Sequence, residues 1–405
     1  MRIWLINHYA VPLQYYPLAR PSLFAKNLIA MGHDVIIIAA STVHNSDLNL
    51  IEGTEIVKRI EDEGIPYVLI KCSDYQGNGI KRVINILQFA YKLPRILDTL
   101  DKPDAIVATS FDPLSCYVGV KYAKNRGIKA IAEIADLWPE TLVAYTSVSR
   151  NNPVVRILRN IEKKIYTQAD EIVFTMAGGY DYIKDQGWHR EIPESKVHNI
   201  NNGIDLELFE INKDKYQIED PDLNCDDFKI VYAGSIRRAN NVGQLLDVAK
   251  RISEKKVKFL IWGDGDEAEI LKQRAIRESI NNVVFKGKVA KKYIPYITSM
   301  CDLGIMHIKQ TSVVKYGLSL NKMFDYMAAG LPVLTDCETD YNPTIMGNCG
   351  LTSGCDDADK IAQCIIEYIN KSDDEKRNFS KNAIDTAKKY SFKELSKKLI
   401  EIIKE

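Results

Sequence analysis

Lys322 and Asp325 stand one helical turn apart in the run Gly317-Leu318-Ser319-Leu320-Asn321-Lys322-Met323-Phe324-Asp325. A glycine loop that opens a helix leaves backbone N–H groups free, and such groups favour a phosphate. Lys322 adds a compact positive charge suited to a diphosphate. Asp325 can accept hydrogen bonds from ribose hydroxyls, as acidic residues do in other nucleotide sites. The same spacing also suits an ordinary surface ion pair on a core helix, so these residues alone leave both readings open.

Two histidines end or follow early apolar runs, His8 after Asn7 and His44 in a polar loop. Each reads most simply as a loop histidine, and His8 is the better placed to touch a sugar. Trp262 to Ala268 fits a GxGxxA dinucleotide fingerprint, but its two aspartates would repel a pyrophosphate and no acidic residue ends the next apolar run. A nicotinamide site is therefore not expected. The 8 cysteines form no CxxC pair and have no histidine at zinc-ligand spacing. They read as reduced thiols of a cytosolic chain.

The elements that must position these residues alternate in a regular rhythm. Short apolar runs at 2–6, 35–40, 67–70, 105–108, 129–134 and 171–175 read as strands, with helices at 22–31 and 115–126 closed by Gly32 and Gly127. Strand, helix, strand in this order means βαβ units and a parallel sheet. Between 201 and 227 the rhythm pauses. The turn Asn202-Gly203-Ile204-Asp205 and the acidic, apolar-poor stretch 212–227 read as a linker between domains. The rhythm then restarts, with strands at 229–232, 258–262, 283–285, 303–306 and 332–334, and helices at 242–252, 321–329, 359–370, 373–389 and 391–404. The expected fold class is α/β, two Rossmann-like domains with parallel sheets facing across a cleft. The expected divisions are 1–205, 206–390 and a C-terminal helix 391–405 packing back toward the first domain. Ligands in open α/β sheets bind beyond the carboxyl ends of the strands, and two such domains suit a transfer between two substrates.

Size and charge agree with this. The chain of 405 residues has 46% hydrophobic and 27% charged residues, enough for two cores. Lys plus Arg number 54, as do Asp plus Glu, and this balance argues against a nucleic-acid partner. The start, MRIWLIN, lacks a signal-peptide pattern, and no apolar stretch approaches the ~18 residues that a membrane span needs. Two helical stretches are nevertheless both apolar and basic. One runs over 80–97 with Lys81, Arg82, Lys92 and Arg95. The other runs over 153–169 with Arg156, Arg159, Lys163 and Lys164. Either could lie on anionic lipid, or be a core-facing helix with a solvated basic side.

The string Asn321-Lys322-Met323-Phe324-Asp325-Tyr326-Met327-Ala328-Ala329-Gly330-Leu331-Pro332-Val333 resembles the signature of family-4 retaining glycosyltransferases. Further stretches resemble that family in the same order: MGHDVIIIAAS at 31–41, AEIADLWPETLV at 132–143, NINNGID at 199–205, IVYAGSI at 230–236 and LIWGDGDE at 260–267. The DLWPE stretch is similar to bacterial members that build surface polysaccharides, and points toward those handling fucosamine or other N-acetylated deoxy-sugars. The resemblance implies a GT-B fold and places residues in roles. Asp325 would bind the donor ribose, while Lys322 and the Gly317-Leu318 backbone would hold the diphosphate. Gly234, Arg237 and Arg238 would approach the phosphates, and Lys288 and Val289 would read the base. Asp136 would face the donor sugar, and Arg20 matches a position where the family often has Arg.

The departures are as specific. Gly317 stands where the family has the first acid of its paired-glutamate motif. The stretch Val11 to Arg20 has no glycine where the family's first loop is glycine-rich, and Ala135 precedes Asp136 where a histidine is frequent. Asp264-Gly265-Asp266 is spaced like a metal-binding pair but falls in the family's structural loop, so no metal is expected. Departure of a nucleoside diphosphate needs positive charge at the phosphates, which Arg237, Arg238 and Lys322 supply.

The implied function is transfer of a sugar, of hexosyl or N-acetylhexosaminyl type, from a nucleotide donor, taken as UDP-linked, to a glycan or lipid-linked acceptor. Retention, no cofactor, a role in capsule or O-antigen assembly, and a cytoplasmic place peripheral to the plasma membrane all follow from the resemblance. A sugar-nucleotide 2-epimerase and a non-catalytic nucleotide-sugar-binding subunit are the competing readings.

Overall fold

Apolar runs bounded by glycines become strands buried on both faces, because helices cover each side of a parallel sheet. The computed structural model describes residues 1–15, 20–44, 46–77, 79–253 and 256–405. The first unit comprises Met1–Asn201 and Phe392–Glu405, and the second Asn202–Ser391.

The first unit begins β1 (Arg2–Ile6), α1 (Arg20–Ala30), β2 (Asp34–Ala40), β3 (Val57–Asp62), β4 (Ile65–Ile70), α2 (Ile80–Leu97), β5 (Ala105–Thr109) and α3 (Pro113–Asn125). It continues β6 (Lys129–Ile134), α4 (Glu140–Tyr145), α5 (Pro153–Gln168), β7 (Glu171–Phe174), α6 (Gly179–Asp185) and β8 (Val197–Asn199). The sheet order is β3-β4-β2-β1-β5-β6-β7-β8, parallel throughout except for the β3–β4 hairpin. The chain steps from β1 outward through β2 to β4, then crosses back to β5 on the other side of β1. That reversal puts a topological switch point between β1 and β5.

The second unit runs α7 (Leu206–Lys215), β9 (Phe228–Ala233), α8 (Gly243–Arg251), β10 (Val257–Trp262), α9 (Ala268–Arg277), β11 (Val283–Gly287), α10 (Ile294–Ser299) and β12 (Leu303–Met306). Then come α11 (Asn321–Ala328), β13 (Val333–Thr335), α12 (Pro343–Met346), β14 (Gly350–Thr352), α13 (Ala358–Ile369) and α14 (Asp373–Lys389). Its all-parallel sheet, in the order β11-β10-β9-β12-β13-β14, has its switch point between β9 and β12. The last helix, α15 (Phe392–Lys404), packs on α1, with Phe392 edge-on to Phe24 at 5.3 Å between ring centroids.

The stretch 212–227 is not a linker. Phe209 and Leu223 are buried in the core of the second unit. The acids between them neutralise lysines of the sheet: Lys286 Nζ lies 2.6 Å from Asp220 and Lys258 Nζ 2.8 Å from Asp222. A segment poor in apolar residues is thus held by charge pairing. On α5 the apolar residues divide. Val155 and Ile165 are buried, whereas Val154 and Ile157 face solvent.

The second unit brings the loops after β9 and β10 into contact at the backbone. Gly234 N–H donates to Trp262 O at 2.9 Å, Ile236 N–H to Asp264 O at 2.9 Å, and Gly263 N–H to Gly287 O at 2.9 Å. A Cβ on Gly263 would fall 1.7 Å from Gly234 O, and one on Gly265 2.2 Å from Ile236 O. The two aspartates of this loop therefore flank a close backbone approach. Gly287 has a left-handed φ of +75° but open space around it. Gly287→Ala is expected to cost about 1 kcal/mol from backbone strain alone. Gly263→Ala adds an overlap with backbone and is expected to cost more than about 3 kcal/mol. Urea unfolding of the two variants checks this, and equal losses would refute the close approach.

Candidate active site

Helix α11 owes its position to one aromatic side chain. Gly304 on β12 leaves room for the Tyr326 ring, which a Cβ there would meet at 2.6 Å. The buried Tyr326 hydroxyl accepts a hydrogen bond from Ala233 N–H at 2.8 Å, at the end of β9. Lys322 lies one turn earlier on the same face of the helix, so docking of Tyr326 carries Lys322 to the end of β9. There its ammonium sits 4.2 Å from the centre of the Tyr232 ring, and a Cβ on Gly234 would lie 2.8 Å from it. Gly234 is thus the residue that makes space for Lys322.

Lys322 is half-buried, and among the described residues no hydrogen bond or ion pair holds its ammonium. Burial of the ammonium lowers its pKa to about 8. Arg237 and Arg238 follow at the exit of β9, both exposed and without an ion pair among the described residues. Lys322 reaches the start of the loop after β9, and Arg237 and Arg238 follow along the same loop. Asp325, one turn along α11, is buried and ion-paired with Lys291. Lys288 and Val289 lie at the exit of β11, exposed and half-buried respectively.

Gly317 takes a φ of +120° and ends a short 3-10 turn. Its N–H donates to Val314 O at 3.0 Å, and Leu318 N–H donates to Tyr341 O at 3.2 Å. These two amides are used within the loop, which corrects the expectation that they hold a diphosphate. Asn202, from the NGID turn, holds the next residue: its Nδ2 donates to Ser319 O at 2.7 Å. Sequence reasoning missed how this loop is fixed. The segment after β12 is joined to the segment after β13 by Ile308 N–H to Asp336 Oδ1 at 2.7 Å and Thr339 Oγ to Lys315 O at 3.1 Å, with buried His307 beside Asp336. It also missed Lys291, whose only signal was a basic pair just after a strand.

Two expected site residues of the first unit are structural. Arg20 is buried and uses Nε on Glu133 at 2.9 Å, Nη1 on Asn201 O at 2.6 Å and Nη2 on Ile200 O at 2.7 Å. The guanidinium clamps β6 to the exit of β8 and does not face a donor. Residues 16–19 of the preceding loop lie outside the described residues. His8 is only 1% exposed, so a sugar cannot reach it. Its Nε2 lies 2.7 Å from Asn85 Oδ1 and its Nδ1 3.4 Å from Asp112 Oδ2. Burial lowers its pKa, against the pull of Asp112, and favours the neutral ring. Asp136 sits half-buried after β6, where burial raises its carboxyl above the usual range. Glu140 of the DLWPE run is buried and paired with Arg150 and Arg159.

The chain matches two protein families. Residues 23–208 match the family described as Glycosyltransferase Family 4, and residues 227–371 the family described as Glycosyl transferases group 1. It is 22% identical over 242 residues to WbjE of Pseudomonas aeruginosa, named as a probable glycosyltransferase, covering 58% of each chain. It is 24% identical over 217 residues to TuaH of Bacillus subtilis (strain 168), a glycosyltransferase named for teichuronic acid biosynthesis, covering 51% of this chain and 50% of that one. The matches thus span little more than half the length of these relatives. Among solved structures, sucrose-phosphate synthase from Thermosynechococcus elongatus superposes with a TM-score of 0.73 at 16% identity, over 100% of this chain and 98% of that one. Anabaena Alr3699/HepE in complex with UDP superposes with a TM-score of 0.69 at 13% identity, over 100% of both. The fold is GT-B. Each half thus resembles one of the two domain families found in glycosyltransferases of the family-4 type.

An ammonium without a counter-charge destabilises the unit that holds it. With a folded pKa near 8 against an ordinary value of 10.5, Lys322 opposes folding below pH 8. The penalty is relieved as pH rises from about 8 toward 10.5, because the unfolded chain then binds more protons than the folded one. Lys322→Met is therefore expected to stabilise the protein at pH 7, on the order of 2 kcal/mol after allowance for partial solvent exposure. It should also abolish stabilisation by a nucleoside diphosphate. Thermal unfolding with and without the nucleotide checks both. A lower midpoint for the variant would show that Lys322 is compensated after all.

Proposed function

We propose that the chain transfers a sugar from a nucleoside-diphosphate donor, UDP-linked, to a glycan or lipid-linked glycan acceptor during assembly of a surface polysaccharide. The observation that carries this is the unpaired Lys322 ammonium packed against Gly234 at the carboxyl end of β9, on the loop that also carries Arg237 and Arg238. Preformed positive charge of this kind stabilises a departing diphosphate without reorganisation in the transition state. In this reading Lys322 and Arg237 stabilise the leaving phosphates, with Arg238 and Gly234 beside them. Asp325 holds the ribose, with Lys291 fixing its carboxylate. Lys288 and Val289 meet the base, and Asp136 faces the donor sugar from the first unit.

The donor choice is supported by the UDP bound in Alr3699/HepE. The acceptor class is supported by the name of TuaH, a teichuronic acid biosynthesis glycosyltransferase. Retention of configuration, a sugar of hexosyl or N-acetylhexosaminyl type, a metal-free site and a capsule or O-antigen product complete the proposal.

Thermal-shift titration with UDP, GDP, TDP and ADP, each with and without EDTA, tests it. A ligand at one hundred times its Kd stabilises the native state by about 2.7 kcal/mol. One diphosphate, UDP, is expected to raise the midpoint equally in both conditions. Sensitivity to EDTA would refute the metal-free reading, and no shift with any nucleotide would refute the donor site. Lys322→Ala and Asp325→Ala are each expected to reduce donor turnover at least about a hundredfold with the fold intact. Unchanged turnover in both would remove the assignment.

A further inference from the structure

Helix α2 presents a second feature that the donor site does not explain. Ile80, Val83, Ile84, Leu87 and Tyr91 are exposed by 80, 53, 44, 52 and 67%. Their spacing places them within an arc of about 100° on the helix, a continuous stripe of about 16 Å. Asn85, Phe89, Leu93 and Leu97 form the opposite, buried face. The outward stripe is therefore not a misplaced core face, because the helix already has one. A run of large apolar side chains held in water marks a contact surface.

The charges on the same helix identify the partner. α2 carries Lys81, Arg82, Lys92 and Arg95 and contains no Asp or Glu. Lys81 and Arg95 are exposed on one flank of the stripe, with the Arg95 guanidinium 4.7 Å from the centre of the exposed Tyr91 ring. Apolar side chains on one face, an aromatic ring with a polar tip and a purely basic flank fit an anionic lipid interface. Helix α5 fits less well. Its exposed large apolar residues are Val154 and Ile157, and its Arg159 and Lys163 are paired with Glu140 and Glu191.

We propose that the outward face of α2 is the surface by which the first unit docks on an anionic lipid bilayer. The helix lies in the interface, with the stripe among the acyl chains and Lys81 and Arg95 at the headgroup phosphates. The inner side of the same helix builds the end of β1: Arg82 Nε donates to Tyr9 Oη at 2.9 Å, and Asn85 reaches His8. Docking would thus set the first unit's strand ends at a fixed height above the membrane. No helix of the described residues is long and apolar enough to cross a membrane, so attachment is at the surface. The inference rests on α2 alone and not on the transfer reaction.

The test is flotation of the full chain with vesicles of phosphatidylcholine, with and without phosphatidylglycerol, over a range of salt. The chain is expected to float with the anionic vesicles at low salt and to be released as salt rises. The triple variant Ile84→Ser, Leu87→Ser, Tyr91→Ser and the double variant Lys81→Glu, Arg95→Glu should each reduce binding at least about tenfold. Because these side chains face solvent, the thermal midpoint and its rise with UDP should not change. No flotation of the unaltered chain, or equal flotation of chain and variants, would overturn the proposal. So would a concentration-dependent dimer in sedimentation that the triple variant dissolves, since the stripe would then belong to a second copy.

Discussion

The second unit is organised around a positive charge that the protein leaves uncompensated. Lys322 could have been neutralised by a carboxylate in place of Gly234 or Tyr232, but no ion pair holds its ammonium among the described residues, and burial pushes its pKa down to about 8. The surrounding choices follow from keeping it there. Gly234 has no side chain because the ammonium fills that space. Gly304 has none because Tyr326 must sit on β12 to bring α11 down. Gly263 and Gly265 have none because the loop after β10 must pass close under the loop after β9, which fixes the direction in which Arg237 and Arg238 leave the sheet. A preformed cationic site costs stability before it acts on a ligand, and an anion that binds there restores what the empty site lacks.

The first unit treats its charges in the opposite way. Arg20 is closed on Glu133 and two carbonyls, Glu140 on two arginines, and His8 on Asn85 beside Asp112. The acids of 212–227 do the same for the lysines of β10 and β11 in the second unit. A net charge of zero over the chain therefore says little about any one place. Arg20, Glu140 and the lysines of β10 and β11 are paired, whereas no ion pair holds Lys322 at the end of β9 among the described residues.

Much of this was legible in the sequence, for identifiable reasons. Buried parallel strands are apolar on both faces, so β1, β2, β5, β6 and β10 announce themselves as short apolar runs. Lys322 and Asp325 were visible because helical spacing fixes their relation whatever surrounds them. Elements whose burial is slight or whose partners are distant in sequence were not. β3 reads VKRIED and lies at an edge with none of its side chains buried. The acidic stretch after α7 is held by ion pairs to lysines 36 and 66 residues away, which no local pattern encodes. His8 and Arg20 were placed correctly at strand and helix ends but misread in role, because burial and pairing decide whether a polar residue at such a position meets a ligand or the protein itself.

The two sheets make the same topological reversal, and their switch points differ in the residues they carry. In the first unit the gap between β1 and β5 is filled by His8 and Asp112, both buried, with Asp112 also capping α3 through Ser115 N–H at 2.8 Å. The facing atoms, His8 Nδ1 and Asp112 Oδ2, lie 3.4 Å apart, and neither makes a hydrogen bond among the described residues. In the second unit the gap between β9 and β12 opens on Gly234, and the side chain that enters it is Lys322, an ammonium lacking an anion. The segment after β12 is joined to the segment after β13 through Asp336, Thr339 and Tyr341. Crevices at such reversals are where open α/β sheets bind ligands. The same reversal thus carries a buried histidine–aspartate pair in one unit and a glycine packed against a lysine in the other.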